Sequence, residues 1–312
     1  MNITPLASIA VLLGAATGSP AAYAHPEHLW GEHLWSLCLA GVTLVTPDAV
    51  WQAWSLAPVV VIPLLALLLG YRRGHRALRR QHPQRVIELR RCRDWFVGGW
   101  LLLAVALISP LCRLSATLVA AHMVQLMLLV VAATALLALG RTGQVLAAAM
   151  PRRWLTAPLA LHVLGKSRSS ALGLLTLGYG GLIWLWHAPP VYTAIQTVAL
   201  WHWLAFATLI TVSTWFWARI IAAHRDHAGA ALAALLTTMM HTGLLGALLT
   251  FSSRPLYPVL AEGARAWQLQ PIHDQQLAGL IMWVGGGTLY LLAALALCAM
   301  WLRDREPVGA IS

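Results

Sequence analysis

The chain has 312 residues, 59% of them apolar and only 10% charged, with a mean hydropathy of +0.71. That balance excludes an ordinary soluble domain and fits an all-α polytopic membrane protein, because lipid-facing helices are apolar all round. The formal charge of +11 is therefore a question of which membrane side carries it, and nucleic-acid binding has no support.

Residues 3 to 17 form a short apolar run, and Ala22-Tyr23-Ala24 supplies an A-x-A cleavage pattern before His25. No Lys or Arg precedes the run. We read residues 1–24 as a signal peptide and 25–50 as a periplasmic arm carrying His25, His28 and His33. The apolar stretch of this arm, Trp35 to Val45, would be about 16 Å long as a helix, too short for a ~30 Å hydrocarbon core.

Seven longer runs follow, at 51–71, 95–111, 116–139, 171–187, 199–221, 231–251 and 277–302. They predict seven transmembrane helices over 51–302, with 303–312 as a cytoplasmic tail. All but three of the 21 Lys and Arg fall in 72–94, 140–170, 219–230 or the tail, the exceptions being Arg113, Arg254 and Arg265. Basic loops stay cytoplasmic, so the N-terminus is expected in the periplasm, with the basic loops facing anionic lipid headgroups and 72–94 running on to Trp95 as a basic surface helix. Tryptophans near run ends, from Trp51 and Trp95 to Trp186, Trp217 and Trp301, fit interfacial belts. Gly98-Gly99 and Gly285-Gly286-Gly287 sit inside runs, where missing side chains let helices approach closely.

The stretch 181–206 predicts two spans joined by a tight turn at Ala188-Pro189-Pro190. A residue before proline is pushed out of the helical region, which leaves His187 at the mouth of one helix and His202 at the start of the next. Topology sorts the 13 histidines. His75, His82, His162, His224 and His227 fall among arginines and are expected to be solvated. His122, His187, His202, His241 and His273 belong to the outer half or the middle of the membrane, where ionisable side chains are costly and mark functional sites.

Soft donors adjoin them: Met123 follows His122, and Met239-Met240 precede His241. Imidazole with thioether suits copper, especially Cu(I), whereas core filling is the ordinary role of methionine. Asp274, beside His273, is expected either to orient an imidazole or to cap its own helix. Cys38, Cys92, Cys112 and Cys298 form no Cys-x-x-Cys. Only Cys38 and Cys112 fall outside, and we read them as idle thiols rather than a disulfide. No phosphate loop, His-Glu-x-x-His or G-x-S-x-G occurs, so hydrolytic and nucleotide-driven chemistry lack a motif. A bis-histidine haem protein stays open.

The segments Ser109-Pro110-Leu111, His122-Met-Val-Gln125, Trp184-Leu-Trp-His187-Ala-Pro-Pro-Val-Tyr192, His241-Thr-Gly-Leu-Leu-Gly246 and Asp274-Gln-Gln-Leu-Ala-Gly-Leu-Ile-Met-Trp283 come in that order. Together they resemble the seven-span CtaG family of cytochrome c oxidase assembly factors, from about Trp51 to Trp301. The resemblance implies a non-enzymatic protein of the bacterial inner membrane that supplies copper to cytochrome c oxidase subunits. The expected metal ligands and their supports are His122, Met123, His187, His202, His241, His273 and Asp274. Where the family tends to carry further histidines, and a proline in the last span, this chain has Leu126, a lone His202 and Gly285. A haem-binding electron-transfer protein and a divergent relative without metal binding are the alternatives.

Overall fold

Long runs of Leu, Ala and Val can satisfy their backbone in an apolar solvent only as helices or closed barrels, and helices are what form here. The structure is a computed structural model that describes Leu39 and residues 44–151, 169–223 and 227–303. The expected signal, the arm with His25, His28 and His33, most of the Trp35 to Val45 stretch, Cys38, His162, His224 and the tail beyond Arg303 lie outside the described residues.

The helices are α1 (Pro58–Gln81), α2 (Val86–Ile108), α3 (Pro110–Ser115), α4 (Val119–Leu139), α5 (Thr142–Ala149), α6 (Ser169–His187), α7 (Pro189–Thr197), α8 (Ala199–Ala223), α9 (Ala228–Phe251), α10 (Ala261–Ala266) and α11 (Pro271–Arg303). No strand occurs among the described residues. Four of the helices, α4, α8, α9 and α11, are long and apolar enough to cross a membrane. The run at 171–187 lies on α6, while those at 51–71 and 95–111 lie on α1 and α2 only from Pro58 and up to Ile108. α1 is apolar only from Pro58 to Tyr71, about 21 Å at helical rise, before its arginines begin.

Two connections expected between spans are helical, and the first of them extends the spans themselves as well as forming the expected basic helix. The basic stretch 72–94 continues α1 through Arg80 and opens α2, with a break only at His82–Arg85, where Pro83 interrupts the backbone ladder. Arginine, leucine and glutamate favour helix, so positive charge here marks a helix end rather than an irregular loop. His75, expected in solvent, is consequently buried inside the bundle, where Nε2 donates to the Leu89 carbonyl at 3.1 Å. Likewise the tight turn expected after His187 is the nine-residue helix α7, because a proline pair suits the first helical positions as well as it ends the preceding helix.

Packing relies on small residues and on hydroxyls. α9 and α11 meet at Gly246 and Gly279: a Cβ on Gly279 would clash with Thr250 and lie 2.6 Å from the Gly246 carbonyl oxygen. Gly285 and Gly287, expected to serve the same purpose, have nothing within 4 Å, while Gly286 faces the Met127 sulfur. In the interior, Thr134 of α4 bonds Ser213 of α8 at 3.0 Å, and Tyr179 of α6 bonds Tyr290 of α11 at 2.8 Å. These pairs satisfy polar groups that lipid cannot. Trp51, Trp95 and Trp201 are exposed as belts require, but Trp186 and Trp217 are buried and serve the core. Cys112 is disulfide-bonded, which corrects its reading as an idle thiol, and Cys92 and Cys298 are free.

Candidate functional site

The site begins where α6 ends. Ala188 is extended (φ −61°, ψ 128°) because it precedes Pro189, so His187 is the last helical residue. Its Nδ1 lies 2.7 Å from the Ile183 carbonyl oxygen. A carbonyl only accepts, so Nδ1 carries the proton and Nε2 keeps a bare lone pair. That Nε2 is buried and has no hydrogen-bond partner. An orphaned polar atom of this kind costs about 1–3 kcal/mol, which makes it a seat for something that accepts the lone pair.

His122 is brought to the same place by a clamp from α11. The first amides of α4 have no side-chain cap of their own; Asp274 receives them, Oδ2 from Val119 at 2.8 Å and Oδ1 from Ala120 at 3.0 Å. A buried carboxylate at a helix N-terminus gains from both charge-assisted bonds and the helix dipole. Asp274 therefore caps neither its own helix nor a histidine, which departs from both expectations. One turn further along α4, His122 Nδ1 bonds the Gln196 side chain of α7 at 3.3 Å. With the Gln196 nitrogen donating, Oε1 is left without a partner. The turned amide would let Oε1 accept from Nδ1–H and give His122 the same tautomer as His187, with the amide nitrogen then taking the unpartnered position. His202 is also anchored through Nδ1, to the Ile195 carbonyl at 3.3 Å.

Neighbouring aromatics hold the arrangement. Tyr192 meets His122 edge-on at 5.2 Å and packs on Tyr257 at 4.0 Å, and Tyr257 Oη donates to the His187 carbonyl at 2.8 Å. Burial holds both phenols above their usual pKa, so Tyr257 stays a donor. Gln275 fixes the Tyr257 segment: its Oε1 accepts from Leu256 N at 2.5 Å and its amide donates to the Leu249 and Arg254 carbonyls. Adjacent residues Asp274 and Gln275 thus place His122 and His187 respectively.

His122 and His187 both line one cavity of about 20 Å³, walled also by Leu126, Trp186, Ile195 and Phe206, with room for one water or one ion. Two imidazole nitrogens and no carboxylate match a late transition metal such as copper better than Mg or Ca. Among the described residues no group of three His, Cys, Asp or Glu is placed to hold a metal.

The other expected residues lie elsewhere. His202 is buried within electrostatic range of His122 but stands against Phe206 (4.7 Å), off the cavity wall. Met123 is fully buried in the main core rather than on that wall. His241 is half-buried, packs over Gly180 of α6, and has both ring nitrogens unpartnered. His273 is exposed, and Met240 is 71% exposed. Gln196, Tyr192, Tyr257 and Gln275 carry the geometry without having been singled out, although each is a polar or phenolic group next to an apolar run.

Residues 69–304 match the family described as cytochrome c oxidase caa3 assembly factor (Caa3_CtaG). No curated protein and no solved structure gives a significant match. With the matched segment covering most of its length and both the His122 and the Asp274 segments inside it, this chain belongs to the Caa3_CtaG family of cytochrome c oxidase assembly factors.

Proposed function

We propose that the chain is a carrier for cytochrome c oxidase assembly that holds copper between His122 and His187 and passes it to an oxidase subunit. The observation that carries this reading is the buried, unpartnered Nε2 of His187, a residue that lines a cavity together with His122. Two nitrogen donors leave coordination positions for ligands of the receiving subunit, the condition for handing an ion over rather than keeping it. His202, Met123, His241 and His273 are not needed for this seat. The cavity is far below the roughly 300 Å³ of a small-molecule pocket, which disfavours haem as its occupant.

The reading extends to topology: α1, α2, α4, α6, α8, α9 and α11 are seven spans of a bacterial inner membrane, with the histidine end periplasmic. Two observations support that orientation. Arginines crowd the opposite end of α1 and α2. Cys112, at the histidine end, is disulfide-bonded, whereas Cys92 at the arginine end is a free thiol, as expected of oxidising and reducing sides.

The test is copper retention by full-length protein after Cu(I) loading and desalting. His122→Leu and His187→Leu are each expected to lower bound copper about tenfold, and His241→Leu to leave it unchanged. His187→Leu is also expected to keep the thermal stability within about 1 kcal/mol, since it removes an orphaned atom along with one hydrogen bond. Unchanged copper in both of the first two variants would dismiss the site.

A further inference from the structure

At the opposite end of the bundle lies a much larger cavity, about 410 Å³, between α1, α2 and α5. Its walls divide. Leu89, Val145 and Met150 are apolar, while Arg85, Glu88 and Arg141 make a charged side. Arg85 grips Glu88 with two bonds of 2.7 and 2.8 Å, and Arg141 reaches the same carboxylate at 2.7 Å. Two guanidiniums thus share one carboxylate, leaving a surplus positive charge, with all three side chains between 38% and 50% exposed.

Arg141 is held there by the fold. Among the described residues it is one of two non-glycines with positive φ, at 49°, a conformation side chains rarely adopt. The turn around it is locked: Tyr71 Oη donates to the Gly140 carbonyl at 2.9 Å, Tyr71 stacks on Phe96 at 3.6 Å, and Thr142 bonds the Leu137 carbonyl at 2.6 Å. Residues of α1, α2 and α4 therefore hold one guanidinium at the mouth of an apolar cleft.

The cleft sits at the end of the bundle where α1 and α2 carry their arginines, the level at which phospholipid headgroups lie. A soluble anion would need only the charged side. The apolar wall calls for an attached hydrocarbon chain. We propose that this cavity binds an anionic phospholipid, its phosphodiester bridged by Arg85 and Arg141 in place of Glu88 and its upper acyl chain against Leu89, Val145 and Met150. The proposal rests on the membrane reading alone and is independent of copper, whose retention serves as the readout that separates the two.

The experiment uses the full chain in a non-ionic detergent, mixed with equal amounts of phosphatidylglycerol and phosphatidylcholine. Lipid retained per protein after size-exclusion chromatography is counted by mass spectrometry. Phosphatidylglycerol is expected to exceed phosphatidylcholine about tenfold, and Arg85→Gln and Arg141→Gln each to cut that excess severalfold. Arg90→Gln, the same charge loss outside the cavity, is expected to have little effect. Glu88→Gln, which removes the internal competitor, is expected to raise phosphatidylglycerol retention severalfold, a gain that misfolding does not produce. Equal retention of the two lipids, no difference between the cavity arginines and Arg90, a loss in Glu88→Gln, or displacement by soluble glycerol 3-phosphate as effectively as by lipid would each overturn the assignment.

Discussion

The histidine end and the arginine end of this bundle solve opposite problems. At the histidine end the cavity is about 20 Å³, the Asp274 carboxylate spends both oxygens on helix amides, and several buried polar atoms have no partner. At the arginine end the cavity is about 410 Å³ and its charges are mutually paired and half exposed. On the readings proposed above, the small cavity beside an unpartnered imidazole nitrogen takes a cation, and the large one with surplus positive charge takes an anion with a tail. The contrast shows that polar residues in an apolar bundle are informative less by their presence than by whether their partners are complete.

The sharpest way to break the contrast is at Asp274. Its removal leaves the Val119 and Ala120 amides buried without acceptors and frees the turn that carries His122. Asp274→Ala is expected to cost about 3 kcal/mol, from two charge-assisted bonds and the helix-end interaction. Asp274→Asn, with one oxygen remaining, should recover part of it. Thermal unfolding in detergent reads the loss, and copper retention should fall with it while phosphatidylglycerol retention stays. An Asp274→Ala protein as stable as the parent would mean that α4 is held by other contacts.

Much of this architecture is legible in the chain. Each of the seven apolar runs falls on a helix over most of its length, since periodicity and length set those segments. Boundaries differ where one residue type has two uses: Pro189-Pro190 reads as a terminator yet opens α7, and the arginines after Tyr71 read as a loop with a basic surface helix toward Trp95 yet also continue α1. Of the candidate ligands, His122 and His187 converge, whereas His241 and His273 lie on other faces of their helices. Position along a helix is readable from position along a run, but angular position around the bundle is not, because outward-facing and core-facing sides are equally apolar. Asp274 illustrates a further limit: a carboxylate near a helix start suggests a cap, but nothing local says that it caps a helix more than 150 residues away in the chain.

A smaller effect is expected at Tyr257, whose hydroxyl bonds the final carbonyl of α6. Tyr257→Phe keeps the ring packed on Tyr192 and removes one hydrogen bond, worth about 1 kcal/mol. A modest fall in melting temperature and a few-fold loss of copper retention should follow, because the last turn of α6 orients His187. If copper retention is untouched, the carbonyl bond steadies the fold without aiming the imidazole.

The smallest effect belongs to the arginine end and carries a defined pH sign. Glu88, ahead of the apolar part of α2, has its carboxyl held below the usual range, first by the hydrogen bond from Arg85 and further by Arg141. A carboxyl whose folded pKa lies below its unfolded value of about 4.3 contributes fully above that value, and the contribution is lost as pH falls through the folded pKa. Since all three side chains are partly exposed, the total should stay below about 1 kcal/mol and shrink with salt. Unfolding measured from pH 6 to pH 3 should therefore show the parent losing slightly more stability than Glu88→Gln, with the gap closing at high salt. A parent that instead gains on Glu88→Gln as pH falls would show that the carboxylate is a burden at this site, occupying arginines that bind better to something else.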